Sequence, residues 1–137
     1  GVQRCGFVLS NAKGDRLPVC LDLERGRIVM DRTRSGLVDF GLKAKSHVRE
    51  SGDWRKDETL NYHNDFAIAT WAPLSLVSGP NYELRLFLDR SIAELFVADG
   101  RIAMTNLVFP RAPYSTLQLF SEGGETKLLE ATLYPRK

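Results

Sequence analysis

Residues 82–110 read YELRLFLDRSIAELFVADGRIAMTNLVFP, and the fold class follows from them. Leu84, Leu86 and Leu88 alternate with other residues in a first run, as Ala93, Leu95 and Val97 do in a second. Side chains of a strand point alternately to its two faces, so each run offers one apolar face to a core. Asp89-Arg90-Ser91 divides the two runs as a turn in which Asp and Ser can hydrogen-bond their own backbone. Ala98-Asp99-Gly100-Arg101 leads into a third run ending at Phe109, with Asp-Gly expected to supply the positive φ of a two-residue hairpin. The stretch is therefore a three-stranded antiparallel meander.

Outward from this meander the texture is the same. Gly6 to Leu9, Leu17 to Leu23 and Ile28 to Thr33 read as strands, joined by turns at Asn11-Ala12-Lys13-Gly14 and Glu24-Arg25-Gly26-Arg27. Val38, Phe40 and Leu42 alternate as a further strand, and Phe66 to Ala72 reads as another before a loop over 73–80. Pro110 and Pro113 end the meander because proline cannot donate to a ladder. Thr116 to Phe120 and Thr126 to Tyr134 then read as the last two strands, on either side of a glycine turn at Ser121 to Glu125. About eight to eleven short strands and no amphipathic helix predict an all-β fold. Its expected form is a two-sheet antiparallel β-sandwich of the concanavalin or jelly-roll kind, without substantial helix.

Glu94 breaks the apolar pattern. It shares a strand face with Ile92 and Phe96, and a carboxylate among such neighbours needs partners. Asp31-Arg32-Thr33-Arg34-Ser35-Gly36 supplies two guanidinium forks of the kind that bind a carboxylate through parallel hydrogen bonds. The expectation is an ion pair from Glu94 to Arg32 or Arg34.

Three runs carry a resemblance to a known family: Met30-Asp31-Arg32-Thr33-Arg34-Ser35-Gly36, Leu88-Asp89-Arg90-Ser91-Ile92-Ala93-Glu94-Leu95-Phe96-Val97-Ala98-Asp99-Gly100, and Phe120-Ser121-Glu122-Gly123-Gly124. In this order they resemble the C-terminal β-sandwich module of glycoside hydrolase family 32, which includes invertases, levanases and inulinases that cleave β-fructofuranosyl bonds. Ala93 stands where that family usually has Val, which leaves the alternation intact. The resemblance implies that residues 1–137 form one C-terminal sandwich, with Asp31, Arg32, Arg34, Asp89, Arg90, Ser91 and Glu94 as its structural motif. It also implies a parent enzyme whose N-terminal five-bladed β-propeller holds the catalytic carboxylates and is the sandwich's partner. The family's catalytic runs, an Asn-Asp-Pro-Asn-Gly, an Arg-Asp-Pro and a Glu-Cys, are absent from this sequence, and the parent is expected to be extracellular or periplasmic.

The residues themselves agree that no catalytic set is present. A retaining glycosidase needs two carboxyl groups about 5 to 5.5 Å apart. Asp89 and Glu94 are near enough in sequence to tempt, but Asp89 is better employed closing a turn and Glu94 projects from mid-strand. Ser10, Ser35, Ser91 and Ser121 lack a nucleophile-elbow context, and Gly123-Gly124 lacks the helix that would make a phosphate cradle. No metal site or cofactor is expected.

Two classes of function remain. The first is a module that packs on the catalytic propeller, stabilises it and forms homo-oligomer contacts, which predicts an apolar patch on one outer surface. The second is a carbohydrate-binding module for fructan oligosaccharides, which predicts exposed, coplanar aromatics. Its candidates are Trp54, Tyr62 and Trp71. Trp54 and Tyr62 lie in the charge-rich excursion Lys43 to Asn64, read as an insertion, where His47 and His63 have no surrounding ligand pattern.

Composition bounds these readings. At 137 residues the chain is one domain, long enough to bury roughly two-thirds of its unfolded surface. Its apolar share of 43% and charged share of 26% are those of a soluble globular protein. Nineteen basic residues nearly offset seventeen acidic ones, leaving +2, so no electrostatic footprint for nucleic acid exists. No apolar run is long enough to span a membrane. The chain opens at Gly1 without a signal-peptide pattern, as expected of a fragment or processed product whose targeting signal lies elsewhere. Cys5 and Cys20 flank the first turn. A symmetric turn sets them opposite each other and a bulge at Gly14 offsets them by one, with free thiols the favoured outcome.

Overall fold

The computed structural model describes residues 1–38 and 66–135. Within them the chain forms β1 (Arg4–Ser10), β2 (Arg16–Asp22), β3 (Arg27–Asp31), β4 (Ala69–Pro73), β5 (Leu84–Leu88), β6 (Ile92–Val97), β7 (Ile102–Leu107) and β8 (Thr116–Glu122), with one 3-10 turn at Leu74–Leu76. A five-stranded sheet runs β4-β3-β2-β1-β8, and a three-stranded sheet runs β5-β6-β7. All pairings are antiparallel. The fold is an all-β sandwich of two antiparallel sheets.

Alternation decides which faces meet. Leu17, Val19, Ile28 and Met30 of the large sheet and Ala93, Leu95 and Val97 of the small one are fully buried, with Ile102 and Val108 closing the layer. Each of the large apolar side chains among them contributes about 1.5–3 kcal/mol of transfer free energy, which is the main force holding the sheets together. Gly6 shows how tightly β1 lies on β2, since a Cβ at this position would sit 2.0 Å from the Val19 carbonyl oxygen. Asn106, on the inner face of β7, is a buried polar residue between the sheets. Its amide donates to Thr70 Oγ1 at 2.8 Å and to Met30 Sδ at 3.0 Å, tying the small sheet to β3 and β4.

Both expected turns of the meander form. Asp99 and Gly100 have φ of 57° and 84°, and the Arg101 N–H donates to the Ala98 carbonyl at 3.3 Å; Ala98 joins them at φ 52°. At the other turn the Asp89 N–H donates to the Ile92 carbonyl at 2.9 Å, while the Asp89 carboxylate accepts from the Arg90 N–H at 2.7 Å.

Between β1 and β2 the loop is Asn11 to Asp15, and its odd length fixes the cysteine question. Ser10 pairs with Arg16, so Cys5 pairs with Leu21 and Cys20 with Gly6. The two thiols are free, Cys5 facing the core and Cys20 the outside. Burial pushes the Cys20 thiol up to about 11.

A corner the sequence reading did not foresee pins this loop to the segment after β7. Asp15, 2% exposed, accepts from the Arg111 backbone N–H at 2.8 Å, from Arg111 Nε and Nη2 at 2.9 and 2.7 Å, and from Asn11 Nδ2 at 2.9 Å. Burial acts to raise the Asp15 pKa, but the hydrogen bonds from Arg111 and Asn11 outweigh it and hold the carboxyl below its ordinary value.

Two strand expectations need correction. The fourth strand begins at Ala69, so Phe66 to Ile68 lie before it. Residues 126–135 form no ladder, and Leu133 and Tyr134 are 85% and 86% exposed. Alternation specifies a face only where a neighbouring strand accepts the backbone bonds, and here none does among the described residues. The three-stranded sheet is also narrower than its partner, which leaves Leu117 and Leu119 of β8 exposed. The strand expected at Val38, Phe40 and Leu42 falls almost wholly outside the described residues.

Candidate functional site

The face of β6 opposite Ala93, Leu95 and Val97 is the outer surface of the small sheet, and it too is apolar. Phe87 of β5 is 59% exposed, Leu107 of β7 49%, and Ile92 lies beside Leu107 as its cross-strand partner. Phe96 completes the patch by an edge-on contact with Phe87 at 5.7 Å between ring centres. Glu94 sits within this set, paired across the ladder with Phe87 on one side and Thr105 on the other. Glu94, Phe87, Leu88, Asp89 and Ile92 line an open depression.

The expected partner of Glu94 is absent. Among the described residues neither Arg32 nor Arg34 forms an ion pair with it, and it accepts no hydrogen bond from them. Arg32 instead donates to the Leu107 carbonyl at 3.5 Å, with its guanidinium 4.1 Å above the Phe66 ring. Burial pushes its pKa down, and its Nε is enclosed without a hydrogen-bond partner. The expected ion pair required Glu94 to lie within reach of the Asp31 to Gly36 run, on the strength of its apolar neighbours Ile92 and Phe96. The stronger apolar set, Ala93-Leu95-Val97, took the core face and left Glu94 half-buried on the other.

The Asp31 to Gly36 run is a backbone knot rather than a carboxylate receptor. Asp31 accepts from the Thr33 N–H at 2.9 Å and from Thr33 Oγ1 at 2.6 Å, folding the run back after β3. Ser35 is fully buried and donates through Oγ to the Arg32 carbonyl at 2.9 Å, while its own carbonyl accepts from the Tyr114 hydroxyl. The Arg34 carbonyl accepts from the Arg16 N–H and the Phe109 carbonyl from the Leu37 N–H, each at 2.8 Å. A Cβ on Gly36 would lie 2.2 Å from the Phe109 carbonyl oxygen, so only glycine fits this crossing. Arg90 is exposed on the β5–β6 turn, and the Ser91 carbonyl accepts from the Val108 N–H at 3.0 Å.

Of the three aromatics proposed for sugar contact, Trp54 and Tyr62 lie outside the described residues. Trp71 is on the outer face of β4, 54% exposed, with the Arg27 guanidinium 4.8 Å from its ring centre. No second aromatic ring stacks on it among the described residues. Nor do three or more His, Cys, Asp or Glu groups gather there to hold a metal ion, and no described helix is long and apolar enough to cross a membrane.

Fold and surface together define an antiparallel β-sandwich module with one apolar outer face. The description "Glycosyl hydrolases family 32 C terminal" matches residues 1–135, and the chain belongs to that family. It is 36% identical over 132 residues to a levanase of Bacillus subtilis (strain 168), covering 96% of this chain and 16% of the relative. To an extracellular exo-inulinase of Aspergillus awamori it is 31% identical over 113 residues, covering 82% of this chain and 17% of the relative. A crystal structure of exo-inulinase from Aspergillus awamori superposes with a TM-score of 0.64 at 25% identity, over 90% of this chain and 20% of that one. The chain thus spans a fifth or less of the length of these relatives.

Proposed function

We propose that this domain is the non-catalytic sandwich of a fructan- or sucrose-cleaving hydrolase, and that it packs against and stabilises an N-terminal catalytic propeller. The observation that carries this is the contiguous patch of Phe87, Ile92, Phe96 and Leu107 on the outer face of the small sheet. A soluble domain rarely leaves such a patch uncovered without a partner. The short coverage of the levanase and exo-inulinase supports a large remainder of polypeptide that can supply that partner. Asp89 holds its own turn, and Glu94 projects from a strand face, so neither is offered as a reacting group. Similarity to an extracellular exo-inulinase supports export of the parent enzyme.

The test compares the whole parent polypeptide with one ending before this domain, on sucrose, levan and inulin. Thermal inactivation is expected several degrees lower in the truncated form, with the 137-residue chain alone releasing no fructose. Equal inactivation temperatures for the two forms, or fructose release by the isolated chain, would overturn the reading.

For the sugar-binding alternative, Trp71 is the candidate among the described residues, its outward ring a stacking surface shared with Arg27. Titration with levan, inulin and fructose while following tryptophan emission decides it. A saturable change lost in Trp71→Ala would favour binding, and a flat response at millimolar ligand would remove it.

A further inference from the structure

The docking reading above leaves open what the partner surface must offer, and Glu94 supplies an answer that rests on that reading. Glu94 is half-buried on the outer face of β5–β7, between Phe87 and Thr105 in the ladder and flanked along β6 by Ile92 and Phe96. No hydrogen bond or ion pair reaches it among the described residues. The buried carboxylates of the domain are different. Asp15 accepts the four hydrogen bonds described above, and Asp22 accepts from the Arg25 N–H at 3.1 Å and pairs with Arg25 at 3.4 Å and Arg4 at 4.0 Å.

A carboxylate in this position is tolerable while water solvates it. Covering the patch removes that water, and an unpaired charge then opposes docking strongly. A cover that favours the apolar neighbours must therefore bring a cation. Within the strands of this face a second copy offers Arg85, beside Phe96 in the ladder, and that cation already pairs with Glu83 at 3.2 Å and Asp99 at 3.6 Å. Such a dimer would cover a second Glu94 instead.

We propose that the docking surface of the catalytic propeller carries an arginine that enters the depression lined by Phe87, Leu88, Asp89 and Ile92 and pairs with Glu94. A planar guanidinium suits the place better than an ammonium. It can lie against the exposed Phe87 ring while its fork engages both carboxylate oxygens. The pair sets register between two surfaces that are otherwise apolar and able to slide.

The test uses the whole parent polypeptide with Glu94→Gln, Glu94→Arg and Phe87→Ser, and measures the rate at which a protease cuts the junction between propeller and sandwich. When opening is fast relative to cleavage, that rate follows the population of the undocked form. Glu94→Gln is expected to raise it about tenfold or more, and Glu94→Arg further. An Arg→Glu change on the propeller surface should restore the Glu94→Arg protein. The thermal midpoint of the 137-residue chain carrying Glu94→Gln, expected unchanged, separates lost docking from lost folding. Unaltered cutting in Glu94→Gln beside faster cutting in Phe87→Ser would overturn the arginine and leave the docking reading in place. Unaltered cutting in all three variants would overturn both, and a dimer dissolved by Phe87→Ser would replace the propeller with a second copy.

Discussion

The corner around Asp15 and the outer face around Glu94 each enclose a carboxylate, and they treat it in opposite ways. Asp15 has both oxygens filled by donors from its own loop and from Arg111, 96 residues along the chain. Glu94 has apolar neighbours and no donor among the described residues. A charge needed to hold the sandwich together is satisfied inside it. On the docking reading proposed above, one left open on an apolar face marks where a partner surface would have to answer it.

The largest expected effect follows from breaking the closed corner. Asp15→Ala leaves the Arg111 fork and backbone N–H without their acceptor. Complete burial of both partners would put the cost at about 3–5 kcal/mol. The Arg111 side chain is 56% exposed and can turn to water, so roughly 2–3 kcal/mol is expected, read as a lower urea midpoint at unchanged m-value. Next is the core strut. Thr70→Val removes the oxygen that accepts from Asn106, leaving the amide with the Met30 sulfur, and should cost about 1 kcal/mol in the same assay.

Acid provides a smaller test of the same contrast. The folded Asp15 carboxyl is held below its ordinary value, so its contribution is complete above the unfolded pKa, about 3.9, and fades as pH falls through the folded one. Asp22 is lowered as well, by hydrogen bonds from Arg25 that exceed the effect of burial, so the wild-type domain should lose stability steadily below about pH 4. Asp15→Asn should flatten that loss without abolishing it. Equal slopes in urea midpoint against pH would show that the corner does not hold its charge. Smallest of all is Glu94→Gln in the 137-residue chain, where a change under about 0.5 kcal/mol is expected because no pair is broken. A loss of several kcal/mol there would mean that Glu94 is satisfied within the domain.

Much of the sandwich was legible because alternation and turn chemistry are local. Leu84, Leu86, Ala93, Leu95 and Val97 announced the meander, and Asp99-Gly100 announced its second reversal. Asn106 was also within reach, since it shares parity with Ile102 and Met104. The fate of Glu94 was not, because both faces of β6 are apolar in sequence and only the opposing sheet chooses between them. Asp15 and Arg111 carry no local signal for each other. For Thr126 to Tyr134, a strand-like pattern met no partner edge. Within the Asp31 to Gly36 run the arginines drew attention, while the residues most constrained by packing are the enclosed Ser35 and the closely crossed Gly36.

The one-residue offset between Cys5 and Cys20 has a practical outcome. With Cys5 facing the core and Cys20 the outside, the two sulfurs are not joined in the folded domain. Each sulfur can then serve as a single-site handle, Cys20 for a probe on the outer surface of the large sheet and Cys5 as a reporter that reacts only when the two layers part.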